Sequence, residues 1–303
     1  MAISRSQLVK ELEPGLNALF GLEYKRYENQ HAEIFDTENS DRAFEEEVML
    51  SGFANAQVKA EGSGVSFDEA QETFTARYTH ETVALAFAIT EEAIEDNLYD
   101  RLASRYTKAL ARSMSNAKQV KAVEPLIQGL PSTDGFDSGD GVSLFNTSHP
   151  TVAGTFQNTL TTQADLNETS LEQSMIDIAK MTDERGLRVA ARGVKMIIPS
   201  ELQFTAERLM KSQGRTGTAD NDINAIVSMG MVPQGYRVNN YLTDSDAFYI
   251  ITDVPNGMKM FTRAPLTTAM EGDFDTGNVR YKARERYSFG VSDPRGIFGV
   301  EGA

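Results

Sequence analysis

The sequence has no cysteine, which excludes disulfides, thiolate nucleophiles and cysteine-ligated zinc and fits a reducing compartment. It has three histidines, His31, His80 and His149, scattered without ligand spacing. No histidine metal centre is expected, and the three read as ordinary surface or turn residues. No run approaches the roughly 18 consecutive apolar residues of a membrane-spanning helix, and Met1 to Lys10 lacks the apolar stretch of a secretory signal. Positive charge is scarce: 29 Lys and Arg face 44 Asp and Glu, a formal net charge of −15. Proteins that grip nucleic acid through its phosphates carry a basic face, so tight DNA binding is not expected, and any basic contact must be local. Of the 303 residues, 40% are hydrophobic, enough for the core of one large domain or two ordinary ones.

Glycine and proline are missing from Thr90 to about Val123, a stretch rich in Ala, Leu, Arg and Lys. Its helix propensity is high throughout. Ile94, Leu98, Leu102, Tyr106, Leu110 and Met114 recur every fourth residue, joined by Ala109 and Ala117, and predict an apolar stripe. Thr90 suits an N-cap. Acids early in the stretch and bases later complement the helix dipole, and Pro125 is expected to stop the helix. The spacing predicts a helix over 90–123, about 50 Å long. So long a rod with one apolar stripe suggests a spine lying across a sheet. Arg101, Arg105, Lys108 and Arg112 form a basic stripe on it, read first as a solvated or salt-bridged face, then as an inter-subunit contact or a weak DNA contact.

Around this spine the pattern is mixed. Residues 1 to about 30 suggest a short helix at Gln7 to Leu12, Pro14-Gly15, and an amphipathic run from Leu16 to Tyr24. The acidic Glu33–Glu47 segment reads as a solvated arm, or one that orders only against another subunit. Phe53 to Val58 and Phe74 to His80 are strand candidates flanking a polar tip with Gly62 and Gly64, a hairpin far longer than ordinary connections. Val83 to Ile89 alternates as a strand. Thr169–Glu172 reads as a capping box opening a helix to Arg185, closed by Gly186. Val194 to Ile198 is a buried strand candidate, and Pro199–Gln203 a second capping box before a helix through Met210. Ile223 to Met229 is a short apolar element of open type. Tyr236–Leu242, Ala247–Thr252, Met258–Arg263 and Asn278–Val291 read as strands. The class is α+β, without βαβ alternation.

Catalytic and ligand signatures do not hold together. Asp134, Asp137 and Asp140 lack the alternating acids and closing Glu of a calcium loop. Gly214 to Gly217 lacks the lysine of a phosphate loop, and Ser115 to Lys118 matches Ser-x-x-Lys without companion motifs. Asp244 and Asp246 are close in sequence, but that sets no catalytic separation. We therefore assign no catalytic, cofactor-binding or metal-ligating residues.

Three segments carry a family likeness. Asp140-Gly-Val-Ser-Leu-Phe-Asn-Thr-Ser-His-Pro150 resembles the stretch after the spine helix of Mu-like major head proteins. Asn256-Gly-Met-Lys with Phe261, Asp273-Phe274, Thr276-Gly-Asn278 and Lys282-Ala-Arg-Glu-Arg-Tyr-Ser-Phe-Gly-Val-Ser-Asp-Pro-Arg-Gly296 resemble the C-terminal region of the same family, and Met181-Thr-Asp-Glu-Arg-Gly186 adds a weaker match. The resemblance implies a tailed-phage major capsid protein with the HK97-like fold. It implies an N-terminal arm at 1–43, an extended loop at 44–82, a peripheral domain at 83–149 holding the spine, an axial domain at 150–265, and C-terminal strands at 266–303 returning to the peripheral domain. It further implies hexamers and pentamers of an icosahedral shell around double-stranded DNA, assembled in the host cytoplasm. Portal and decoration proteins and a separate scaffolding protein would be its partners, with no enzymatic activity and no membrane contact. Lys59 lies near the loop tip, where some relatives cross-link, but no acceptor matches. The alternatives are an encapsulin-like compartment shell and, from another class, a soluble hydrolase using acids of the 200–250 region.

Overall fold

The computed structural model describes residues 5–90, 92, 99–133, 135–214, 222–273 and 277–303. Helix α1 spans Arg5–Arg26. A 3-10 turn at Gln30–Glu33 leads to strands β1 (Asp36–Asn39), β2 (Phe44–Leu50), β3 (Glu72–Thr79) and β4 (Glu81–Ile89), and then to the spine α2 (Tyr99–Gln128). After it come β5 (His149–Thr151), β6 (Gly154–Phe156), α3 (Glu168–Lys180), β7 (Gly193–Ile198), α4 (Gln203–Lys211) and the single turn α5 (Ala225–Ser228). Strands β8 (Tyr236–Val238), β9 (Phe248–Thr252), β10 (Met258–Gly272), β11 (Val279–Val291) and β12 (Ile297–Val300) complete the chain.

Two four-stranded sheets organise these elements. The first has the order β1-β10-β11-β4, with β1 parallel to β10 and the other pairs antiparallel. Strand β11 shows why it sits inside: Val279, Tyr281, Ala283, Glu285 and Tyr287 alternate inward, while Arg280, Lys282 and Arg284 face out. The second sheet has the order β12-β9-β7-β8 and is buried against α3 and α4 through Leu171, Ile178, Ala206 and Leu209. The C-terminal half of α2 lies where the sheets meet. Ala122, Val123 and Leu126 pack there with Tyr249, Ile197, Met258 and Ile297. Gly257 and Gly296 cross so closely that a Cβ on Gly296 would stand 2.3 Å from the Gly257 Cα, which only glycine allows.

The spine differs from its predicted bounds of 90–123. Most of its expected first turns, at 91 and 93–98, lie outside the described residues. At the other end Pro125 does not stop it, and the helix runs on to Gln128. A mid-helix proline costs about 3 kcal/mol. Leu126 and Leu130 are both buried beyond it, and each buried leucine returns roughly 1.5–3 kcal/mol. The apolar stripe holds at Leu110 and Met114 and fails at Tyr106 and Ala109, while the side chains of Ile94, Leu98 and Leu102 lie outside the described residues. Spacing by four advances about 40° around the helix per step, so Ile94 to Met114 would turn through roughly 200°. Tyr106 accordingly stands 48% exposed, and the buried line is Ala103, Thr107, Leu110, Ala111, Met114, Ala122, Val123 and Leu126.

Other expectations are corrected too. The N-terminal segment is one helix with Pro14 inside it, where a short helix at Gln7 to Leu12 and a separate run from Leu16 to Tyr24 are expected, and the acidic segment read as a solvated arm supplies β1, paired with β10. Leu16 and Phe20 are buried against Leu110, Met114 and Tyr281 of the same chain, and Asn17 accepts hydrogen bonds from the Tyr281 and Thr268 hydroxyls at 2.8 Å. Residues 53–58 form no strand. The α3 capping box is Asn167 with Ser170, two residues ahead of the expected one, and the helix ends at Lys180, before Arg185. The α4 start has no side-chain cap. Strand β8 is confined to Tyr236–Val238. Strand β10 outruns its predicted end at Arg263, passing Pro265 by register shifts between Thr262 and Thr267, as proline in a sheet requires. Strands β1, β2, β5, β6 and β12 have no counterpart among the strand candidates read from the sequence.

Candidate assembly surfaces

Strands β2 and β3 pair antiparallel from Phe44 opposite Thr79 out to Leu50 opposite Glu72. This ribbon is rooted on the first sheet. The Tyr78 ring lies over Gly290, meets Phe261 edge-on at 4.8 Å, and its hydroxyl is 2.5 Å from Ser292 Oγ. Lys259 binds Glu47 at 2.6 Å and Glu38 at 3.1 Å. At the bend into β4, His80 is buried between Ser40 Oγ at 2.9 Å and Ser288 Oγ at 3.0 Å. Ser40 donates its own hydroxyl hydrogen to Glu45, so His80 Nε2 donates to Ser40 and Nδ1 accepts from Ser288. Burial, then the nearby Arg286, hold this imidazole below its usual pKa.

Beyond the ribbon every residue from Gly52 to Glu72 is exposed. Val58 is 100% and Phe67 98% accessible, with Phe53 and Val65 also open. Asp68 accepts from the Ala54 amide at 2.7 Å, and Arg185 reaches Asp68 at 3.6 Å and the Glu69 carbonyl. The loop thus has local order, yet its large apolar side chains have no cover. A second exposed apolar group, Phe204, Ile223 and Met229, lies around α4 and α5.

Two sets of cations also face solvent. Arg105, Lys108 and Arg112 are exposed on α2, and no described side chain pairs with them. Arg101's side chain lies outside the described residues. On β11 Arg280 pairs with Asp273 at 2.5 Å, and Lys282 and Arg284 follow it on the same face.

The residues weighed for chemistry are engaged structurally. The Asp137 carboxylate accepts from the Gly139 and Gly141 amides, and Asp134 lies outside the described residues. Burial pushes the Asp140 carboxyl up, but hydrogen bonds from His149 and Ser138 outweigh it and leave it below the usual carboxylate range. His149 is fully buried, with Nδ1 2.6 Å from Asp140 and Nε2 2.9 Å from Asn158. Asn158 Nδ2 donates to the Leu144 and Pro294 carbonyls. The Asp140–Pro150 stretch is therefore a clasp between the spine's exit and the C-terminal segment. Lys118 of the Ser-x-x-Lys match pairs with buried Glu285 at 2.7 Å. The Asp246 amide donates to Asp244 in a turn, and residues 215–217 lie outside the described residues. His31, not the surface residue expected, is buried. The Gln119 side chain grips it twice, accepting from its amide and lying 3.0 Å from Nδ1. Burial, then Lys118, lower its pKa to about 4. Among the described residues no three His, Asp or Glu converge as a metal site, and no described helix is long and apolar enough to cross a membrane.

The missed features, the histidine clasps and the Lys118–Glu285 pair, join residues far apart in sequence. Only the Asp140–Pro150 run, with its acid and histidine nine residues apart, carried a local sign.

This architecture resembles that of solved capsids. The chain matches the capsid of cyanophage P-SCSP1u with a TM-score of 0.56 at 11% identity, covering 89% of this chain and 86% of that one. It matches the capsid of Myoviridae phage XM1 at 0.52 and 11%, covering 89% of each. It matches a virus-like particle from Pyrococcus furiosus at 0.51 and 12%, covering 94% of this chain and 98% of that one. The architecture is the HK97-like major capsid fold, of α+β class. No curated protein sequence matches. Residues 72–300 match the family model of the phage capsid proteins, and the chain belongs to that family. It is a capsid shell protein.

Proposed function

We propose that the chain is the major head subunit of a tailed phage, assembling as hexamers and pentamers of an icosahedral shell around double-stranded DNA. The observation that carries this reading is the loop from Gly52 to Glu72, which holds Val58 and Phe67 fully in water on a firmly rooted ribbon. Exposed apolar groups of this kind mark contact sites, and in a shell identical copies cover them. Residues 44–82 then act as the extended loop. Residues 1–43 act as the arm, 83–149 as the peripheral domain and 150–265 as the axial domain, with Phe204, Ile223 and Met229 turned to neighbours around a local axis. Residues 266–303 divide their strands, since β12 pairs with β9. The protein works by packing, without catalysis. Scaffolding, portal and decoration proteins are separate partners, and assembly takes place in the host cytoplasm before the shell becomes part of the virion.

Deleting Glu61 to Phe67 tests the reading. The subunit keeps its circular dichroism and cooperative unfolding, while light scattering and particle images show few shells. Normal shells from the deletion would remove the loop from assembly. A chain that stays monomeric at high concentration, alone and when co-expressed with a scaffolding protein, would end the proposal.

A further inference from the structure

The open face of the spine is notable for what it omits. From Arg101 to Val123 the sequence has six basic residues and no acid, in a chain where acids outnumber bases 44 to 29. Two of the six turn inward: Lys118 pairs with Glu285, and Lys121 pairs with Glu81 and Glu124. Arg105, Lys108 and Arg112 do not. They are exposed, spaced i, i+3 and i+7 along one side of α2, over about 10 Å of helix. Between and beyond them on that side stand Ala109 and Asn116, with Ser113 and, a turn further on, Val120 toward its border, all exposed. The opposite side of the same turns is the buried line of Leu110, Ala111 and Met114.

A face that docks a protein has an apolar centre from which charge is depleted. This one has cations at its centre, separated by small and polar side chains. A phosphate backbone needs no apolar centre, only cations and short polar donors within reach of its oxygens. We propose that this face of α2 is a contact for the phosphate backbone of duplex nucleic acid, made by Arg105, Lys108 and Arg112, with Asn116 and Ser113 as hydrogen-bond donors. The proposal rests on the reading that the shell encloses DNA and adds which surface meets it. Three cations on a chain of net charge −15 give a weak contact that is independent of sequence and steeply sensitive to salt. Such a contact orders a packed polymer without arresting its movement.

Strand β11 provides a matched control, because Lys282 and Arg284 are also exposed cations but lie on the first sheet. Lys108→Gln with Arg112→Gln and Lys282→Gln with Arg284→Gln each take the net charge from −15 to −17. The binding of full-length unassembled subunit to a short labelled duplex is measured by fluorescence anisotropy between about 50 and 200 mM salt. The α2 pair is expected to make the slope of log K against log salt shallower by up to about 1.8, or 0.9 for each lost phosphate contact, and the β11 pair to leave it unchanged. Equal slopes for wild type and the α2 pair, or equal losses in both variants, would overturn the proposal. So would an α2 pair that keeps its duplex binding but no longer assembles, since the face would then meet protein. Light scattering of the wild-type chain, alone and with a scaffolding protein, checks the shell reading separately: a monomer in both ends that reading whatever the duplex result.

Discussion

His31 and His80 are held by partners distant in sequence, Gln119 and Ser288, and His149 by Asp140 and Asn158, nine residues to either side of it. Spacing along the chain carries no trace of the first two, which is why a surface or turn reading was the natural one and is wrong. His31 has a consequence for acid stability. Its imidazole titrates near 6.5 in an unfolded chain and at about 4 in the fold. Between those values the unfolded chain binds the proton that the folded one refuses, so the stabilisation is complete above 6.5 and is lost as the pH falls toward 4. The size is up to roughly 3 kcal/mol. Denaturant unfolding at pH 7 and pH 4 should show a larger acid loss in the wild type than in His31→Gln, by up to that amount. Identical acid losses would mean that His31 is not held neutral.

At the scale of elements, what could be read depended on whether local pattern or tertiary contact sets the boundary. Strand β11 was legible because Val279, Tyr281, Ala283 and Tyr287 alternate with charged residues. The spine was legible as a helix but not at its end, because burial of Leu126 and Leu130 carries it past Pro125. Four-residue bookkeeping put Leu110 and Met114 correctly on the buried line but also Tyr106, which the 3.6-residue repeat turns outward while it brings Ala103, Thr107 and Ala111 in. The β2–β3 ribbon was visible only in part, since its root is a tertiary fit between Tyr78 and Gly290. A Cβ on Gly290 would stand 2.6 Å from Tyr78 Cε1. Gly290→Ala must therefore push the ring off Phe261 and strain the Tyr78–Ser292 hydrogen bond, at a cost of about 1–3 kcal/mol. Hydrogen exchange should speed up in β2 and β3 while β9 and β12 stay protected. If the variant unfolds at the wild-type denaturant concentration, the ring is not what seats the ribbon.

At the scale of the whole molecule, both sheets are assembled from distant segments. Asp36–Asn39 joins Lys259–Thr262 in parallel, and Glu81–Ile89 joins Val279–Tyr287. Periodicity cannot say which strands meet, so the topology was available only through the family likeness of the Asp140–Pro150 and Lys282–Gly296 runs. Those runs turn out to be clasp and sheet, not chemistry, which explains why they carried identity without suggesting a site. The same scale separates the subunit's own stability from that of an assembly. Phe67 touches no core and is 98% exposed, so Phe67→Ser should leave the unfolding midpoint of dilute subunit within about 0.5 kcal/mol of wild type. If a neighbouring copy covers that ring, assembly loses roughly 1.5–3 kcal/mol per contact, and each 1.4 kcal/mol is about tenfold in the concentration needed. The critical concentration for particle formation, followed by light scattering, should therefore rise at least about tenfold, and Val58→Ser should add to it. An unchanged critical concentration with both residues replaced would mean that the loop's apolar side chains stay in water even in the shell, and that its hold on a neighbour lies in the backbone or in Asp68 and Glu69.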